Sequence, residues 1–183
     1  VVVDEAYIEF VRESDCACGL DYLQSERRVV TLRTFSKAYG LAGLRLGYGI
    51  MSAEVSDFLN RVRQPFNTNM LAQVGALAAL DDEAFFKQTS RTVHAGLDFL
   101  MEEVKRMGLD CFPSQANFFL IDLKRDAREV FHALLSQGVI VRAMGAYGYP
   151  HYIRVNAGLP EENQRFITAL RAVMDDSAAD KRR

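Results

Sequence analysis

The feature that most limits the fold is the opening "VVV" at residues 1–3, an apolar stretch without alternation that turns at once into "DEAY". A strand that is apolar on both faces belongs inside a sheet, with other elements over it. Two further apolar strands follow, "RRVVTLRTF" at 27–35 and "LRLGYGIM" at 44–51. Ser52 is a fitting N-cap for a helix through "AEVSDFLNRVR" that stops before Pro65. Residues 67–80, "NTNMLAQVGALAAL", are rich in Ala and Leu and predict a buried helix. Strands followed by helices in this order predict an α/β sheet with ligands at the carboxyl ends of its strands. A start in mid-strand leads us to expect more chain upstream, with these residues as the C-terminal part of something longer.

After residue 81 the texture changes. A long amphipathic pattern runs to Met107, with Phe85, Val93, Leu97, Leu100 and Val104 near helical spacing, and Gly108 is its expected stop. Then come a strand at 117–123, a helix over 126–137 ended by Gly138, a strand at 139–144 and another at 152–158. The last helix opens at Pro160 with Glu161 and Glu162 in its first turn, where both favour the helix dipole. The tail after Met174 is expected to fray. The pattern divides into residues 1–66, part of a larger sheet domain, 67–82, an interdomain helical segment, and 83–183, a small α+β domain with three strands.

Composition excludes several functions. A net charge of −2 over 183 residues gives no reason to expect nucleic acid or a membrane surface as partner. No run reaches the roughly 18–20 apolar residues of a spanning helix. Cys16, Cys18 and Cys111 are odd in number and lack zinc-type spacing, which argues against a disulfide framework or a metal site and for a reducing cytosol.

The chemistry concentrates where apolar strands end. Asp4 follows the first strand, with Tyr7 three residues on. Thr34, Ser36 and Lys37 follow the second, and Arg45 opens the third. Taken singly, Asp4 is equally a turn residue, Lys37 a solvated cation, Arg45 half of a surface ion pair and Tyr7 a core tyrosine. Together they offer an amine for a Schiff base, hydroxyls and a guanidinium for a phosphate, a carboxylate for a pyridine nitrogen and a phenol for a ring oxygen. That set suits pyridoxal phosphate. Small residues at Gly40, Ala42, Gly43 and Gly47 let backbone and ligand approach closely. A dinucleotide loop does not fit "GLAGLRLG", because the GxGxxG spacing is absent and a strand follows.

"DEAY", followed about thirty residues later by "TFSKAYGLAGLRLGY", resembles the signature of fold-type I pyridoxal-phosphate aminotransferases. Within that group the chain is most similar to the histidinol-phosphate aminotransferases. "QPFNTNMLAQ" resembles their interdomain segment and "YIRVNAGLPEENQRFITAL" their closing strand and helix. The resemblance implies part of a large parallel or mixed sheet domain plus a small C-terminal α+β domain. It makes Lys37 the lysine that holds the cofactor, Asp4 the partner of the pyridine nitrogen and Tyr7 the partner of the phenolic oxygen. Thr34, Ser36 and Arg45 would bind the phosphate, and Arg154 the substrate's anionic group. It also implies a cytoplasmic homodimer acting on a small-molecule amino donor and a 2-oxo acid. Histidinol phosphate with 2-oxoglutarate is the first expectation. A phosphothreonine decarboxylase, an aromatic amino acid aminotransferase and a noncatalytic fragment remain as alternatives.

Overall fold

The computed structural model describes residues 1–23 and 28–180, the side chains of 176–180 excepted. Its contacts divide the chain into two compact units, Val1–Ser90 and Arg91–Arg183.

In the first unit, β1 (Val2–Asp4) pairs in parallel with β2 (Val30–Thr34), and β2 pairs antiparallel with β3 (Gly47–Ile50). Because side chains alternate along a strand, the register assigns Asp4, Leu32, Thr34, Gly47 and Gly49 to one face. Glu5, Thr31, Arg33 and Tyr48 belong to the other. The opening strand is expected to be apolar and covered on both sides, yet among the described residues only the second face is covered. Thr31 and Phe35 are buried there, whereas Val2 and Leu32 on the first face stand exposed. Arg27, with which the predicted second strand opens, lies outside the described residues.

Two helices follow. Ser52 caps α1 (Ala53–Val62) by accepting the Val55 amide, and Asn69 caps α2 (Met70–Asp81) by accepting that of Ala72. The prediction of α2 as a buried helix needs correction. It buries only Ala72 and Ala76 and exposes Met70, Leu71, Val74, Leu77 and Leu80.

A 24-residue helix, α3 (Glu83–Arg106), begins in the first unit and ends in the second. It stops at Gly108, whose φ of +74° suits glycine. The second unit is built on an antiparallel sheet of four strands, not three. The order is β4 (Asp110–Cys111), β5 (Phe118–Asp122), β7 (Tyr152–Asn156) and β6 (Arg142–Ala143). The strand predicted over 139–144 shrinks to β6 because its first residues close the helix before it. The Val139 amide bonds back to Leu134 O, at the end of α4 (Ala127–Ser136). The last helix, α5 (Pro160–Asp180), runs on where fraying was expected after Met174; residues 181–183 lie outside the described part.

One face of this sheet carries the core. Phe119, Ile121, Ile153 and Val155 are buried against Leu97, Leu100 and Val104 of α3, Val130 and Leu134 of α4, and Ile167 and Leu170 of α5. Their partners in the alternation, including Arg154, project from the opposite face. Phe119 is 1% exposed, and replacing it with Ala should cost about 3–5 kcal/mol in denaturant unfolding. A loss below about 1 kcal/mol would show that this core collapses around the gap.

Candidate functional site

The parallel pairing of β1 with β2 is what assembles the site. Asp4 lies opposite Leu32, and Thr34 is two residues further along the same face, so the carboxylate and the hydroxyl leave the sheet on one side at its carboxyl end. Asp4 Oδ1 accepts the Ala6 amide at 3.1 Å, which steadies its rotamer. Tyr7 precedes a single 3-10 turn, Ile8–Phe10. Lys37 Nζ stands 5.4 Å from the centroid of the Tyr7 ring, a cation–π distance. The amine and the phenol, thirty residues apart in sequence, are therefore neighbours.

Beyond β2 the chain makes a compact bend. Thr34 Oγ1 accepts the Ser36 amide at 3.1 Å and donates to Leu46 O at 3.4 Å. Gly40 adopts φ +69°, and its amide returns to Lys37 O. Lys37 lies exposed at the crest of this bend, between part-buried Ser36 and fully buried Ala38. Arg45 does not open the third strand as predicted. It follows a 3-10 turn, Ala42–Leu44, in the left-handed conformation (φ 60°, ψ 51°), and β3 begins only at Gly47. Its Nη1 donates to Ala42 O at 2.7 Å. A non-glycine residue at positive φ stores backbone strain, which proteins keep mainly where function uses it.

Arg154 belongs to the second unit. Its Nε is buried without a hydrogen-bond partner, and its guanidinium carbon lies 4.7 Å over the Phe118 ring centroid. The β6–β7 register sets Arg142 directly opposite it, and both line a cavity of about 660 Å³ with Asn156 and Arg165. Like charges directly opposed on a sheet repel, so this pair is suited to an anion. Arg142 escaped the sequence reading because registry between strands is a tertiary fact.

A second polar group escaped as well. Behind the sheet, on the face away from Asp4, the Glu5 carboxylate is buried. It accepts Arg33 Nε at 3.0 Å and the Gly19 amide at 2.5 Å. Burial disfavours the Arg33 charge, yet hydrogen bonds to Glu5 and Tyr48 hold its pKa above the ordinary value. Cys18 Sγ accepts from Arg33 Nη2 at 3.4 Å. Glu9 Oε2 nearby is buried without a partner. Desolvation pushes the Glu9 carboxyl up and Glu5 adds to the rise, against its own backbone hydrogen bond and Arg33. Burial first, then the Glu9 charge and Tyr48, also raises the Tyr39 hydroxyl, with Arg33 opposing. The adjacent "DE" at a strand end held the one available signal, since neighbours on a strand serve opposite faces.

The chain belongs to the aminotransferase class I and II family, whose pattern matches residues 1–170. It is 51% identical over 174 residues to histidinol-phosphate aminotransferase 2 of Pseudomonas aeruginosa, covering 95% of this chain and 47% of that protein. The chain thus spans about half the length of the curated relatives it matches. The structure of the Sinorhizobium meliloti histidinol-phosphate aminotransferase in complex with pyridoxal-5'-phosphate superposes with a TM-score of 0.87 at 29% identity. That match covers 96% of this chain and 48% of the other. The L-threonine-O-3-phosphate decarboxylase of Porphyromonas gingivalis superposes with a TM-score of 0.81 at 27% identity, over 95% and 55% of the two chains. No described helix is long and apolar enough to cross a membrane.

The buried Glu9 gives a pH-dependent prediction. Its folded pKa lies above the ordinary 4.5, so its favourable contribution is complete below that value and is lost as pH rises through the raised one. Glu9→Gln should therefore gain stability relative to the parent as pH rises from about 4.5 to neutral. A difference in melting temperature that stays constant over this range would remove the desolvated carboxyl from the account.

Proposed function

We propose that the protein containing this chain is a pyridoxal-phosphate-dependent transaminase that converts histidinol phosphate and 2-oxoglutarate into imidazole acetol phosphate and glutamate. The observation that carries the reading is Lys37 beside Tyr7 at the carboxyl end of β2, in a chain 51% identical to a histidinol-phosphate aminotransferase.

The donor set fits the cofactor. A carboxylate, an amine, a phenol, two hydroxyls and a guanidinium are offered by the ends and bends of one sheet. Gly47 pairs with Thr34 on the face bearing Asp4, and a Cβ there would come within 2.8 Å of Arg33 O, so this close strand approach admits no side chain. Pyridoxal phosphate, when bound, supplies an aldehyde for amine exchange and an electron sink. Asp4 would hold the proton of its ring nitrogen and Tyr7 would hydrogen-bond its ring oxygen. Thr34, Ser36 and Arg45 would bind its phosphate. Lys37 Nζ would anchor it and, when free, take and return the proton at the substrate carbon that bears nitrogen.

Arg154 would bind the substrate's acid group, with Arg142 beside it. A phosphate monoester carries about −1.5 to −2 charges near neutral pH, enough to engage both guanidiniums. A phosphothreonine decarboxylase would also present a phosphate to these arginines, and its relative superposes well. The two readings part at carbon dioxide, which only the decarboxylase releases. The same reading makes the protein a cytoplasmic homodimer, which sedimentation at working concentration tests.

Borohydride reduction with pyridoxal phosphate on the complete protein, followed by peptide mapping, should place a pyridoxyl group on Lys37. A folded, cofactor-saturated sample with no adduct would overturn the class of reaction. Lys37→Ala should abolish transamination while leaving the fold largely intact, and near-normal turnover would end the role given to this amine. Arg154→Ala should lower kcat/KM by roughly 10- to 100-fold, the loss of a charged hydrogen bond worth about 1.5–3 kcal/mol. Unchanged values for both amino donor and 2-oxo acid would take Arg154 out of the site.

A further inference from the structure

We propose that Glu5 is a positioning residue for Asp4: its buried carboxylate, clasped by Arg33 and the Gly19 amide behind the sheet, fixes where Asp4 stands in front of it. The inference rests on the cofactor reading above, in which Asp4 holds the ring nitrogen.

β1 is three residues long and pairs with β2 among the described residues. The Val30 amide bonds Val1 O at 2.9 Å and the Glu5 amide bonds Leu32 O at 2.8 Å, so backbone hydrogen bonds flank the parallel ladder at both ends and Glu5 stands at its carboxyl end. Glu5 adds three constraints at that point. Oε2 accepts from Arg33 of β2, Oε1 accepts from Gly19, and Cys18 Sγ lies 4.0 Å from Oε2. Arg33 is in register with Tyr48 of β3 and hydrogen-bonded to it. One chain of polar contacts therefore crosses all three strands at the level of the site.

The clasp is closely fitted. A Cβ on Gly19 would strike Thr31 Oγ1 and sit 3.3 Å from Glu5 Oε1, so this loop approaches Glu5 only because residue 19 has no side chain. The Glu5 side chain is 4% exposed and that of Arg33 18%, which leaves water little access to substitute for either partner. Breaking a buried pair from one side leaves the other charge uncompensated. Consecutive strand residues point oppositely, so any tilt that Glu5 loses control of moves Asp4 on the other face.

The test is a double-mutant cycle on the complete protein, read as the dissociation constant for pyridoxal phosphate by equilibrium dialysis. Glu5→Gln keeps an acceptor for Gly19 and removes the charge facing Arg33. It should weaken binding about tenfold, in line with a lost charged contact. In an Asp4→Asn background the same change should cost less than about twofold, because the group being positioned is already gone. In an Arg45→Ala background the full tenfold loss should remain. Equal losses in all three backgrounds would mean that Glu5 merely supports the fold, and the proposal would fail. Absence of cofactor binding in the parent would overturn the cofactor reading itself, a result separate from additivity. Should Glu5→Gln not fold, Arg33→Lys, which keeps the charge and loses the fork, carries the same cycle.

Discussion

Three residues of parallel pairing, Val2–Asp4 against Val30, Thr31 and Leu32, set the frame for the site residues of the first unit. Parallel register sets Asp4 and Thr34 on the same face, and the bend after Thr34 brings Lys37 to Tyr7. A slip of one residue would reverse each side chain of β1. Asp4 would then turn behind the sheet and Glu5, with no partner there, would come forward. The observed register is the one that leaves the Glu5 carboxylate on the hidden face, in contact with Arg33 and the Gly19 amide.

Much of this architecture was legible in the residues. Ser52 marked the start of α1 because a hydroxyl before an amphipathic run satisfies an otherwise orphaned amide. Gly108 and Gly138 marked helix ends because both take positive φ. Lys37, Asp4 and Tyr7 could be named because their order along the chain is so specific. What stayed hidden depends on pairing between distant segments. β4 is two residues long and is a strand only because Asp110 and Cys111 meet Asp122 and Ile121. The opposition of Arg142 and Arg154, and the turning of Arg45 into the left-handed region, are likewise absent from any local pattern.

Charge is treated differently at the two sets of site residues. Arg154 keeps a buried nitrogen without a hydrogen-bond partner and lies beside another cation, an arrangement that favours an incoming anion. The Glu5–Arg33 pair is the reverse, since its hydrogen-bonding capacity is spent on protein groups and rigidity is the result. Glu9 lies between these extremes, with a desolvated oxygen whose charge is costly at neutral pH. The two kinds of group belong to different sheets, the Glu5–Arg33 pair to that of the first unit and Arg154 to that of the second.

The backbone of Arg45 has a consequence for anyone who evolves this protein in the laboratory. Glycine adopts that left-handed conformation without steric cost, while arginine bears about 1 kcal/mol or more of strain. A library sorted by heat resistance alone would therefore enrich glycine at position 45. The winners of such a sort would be sturdier proteins that had discarded the guanidinium to which the proposed function gives the cofactor phosphate, so under that proposal turnover needs scoring in the same round.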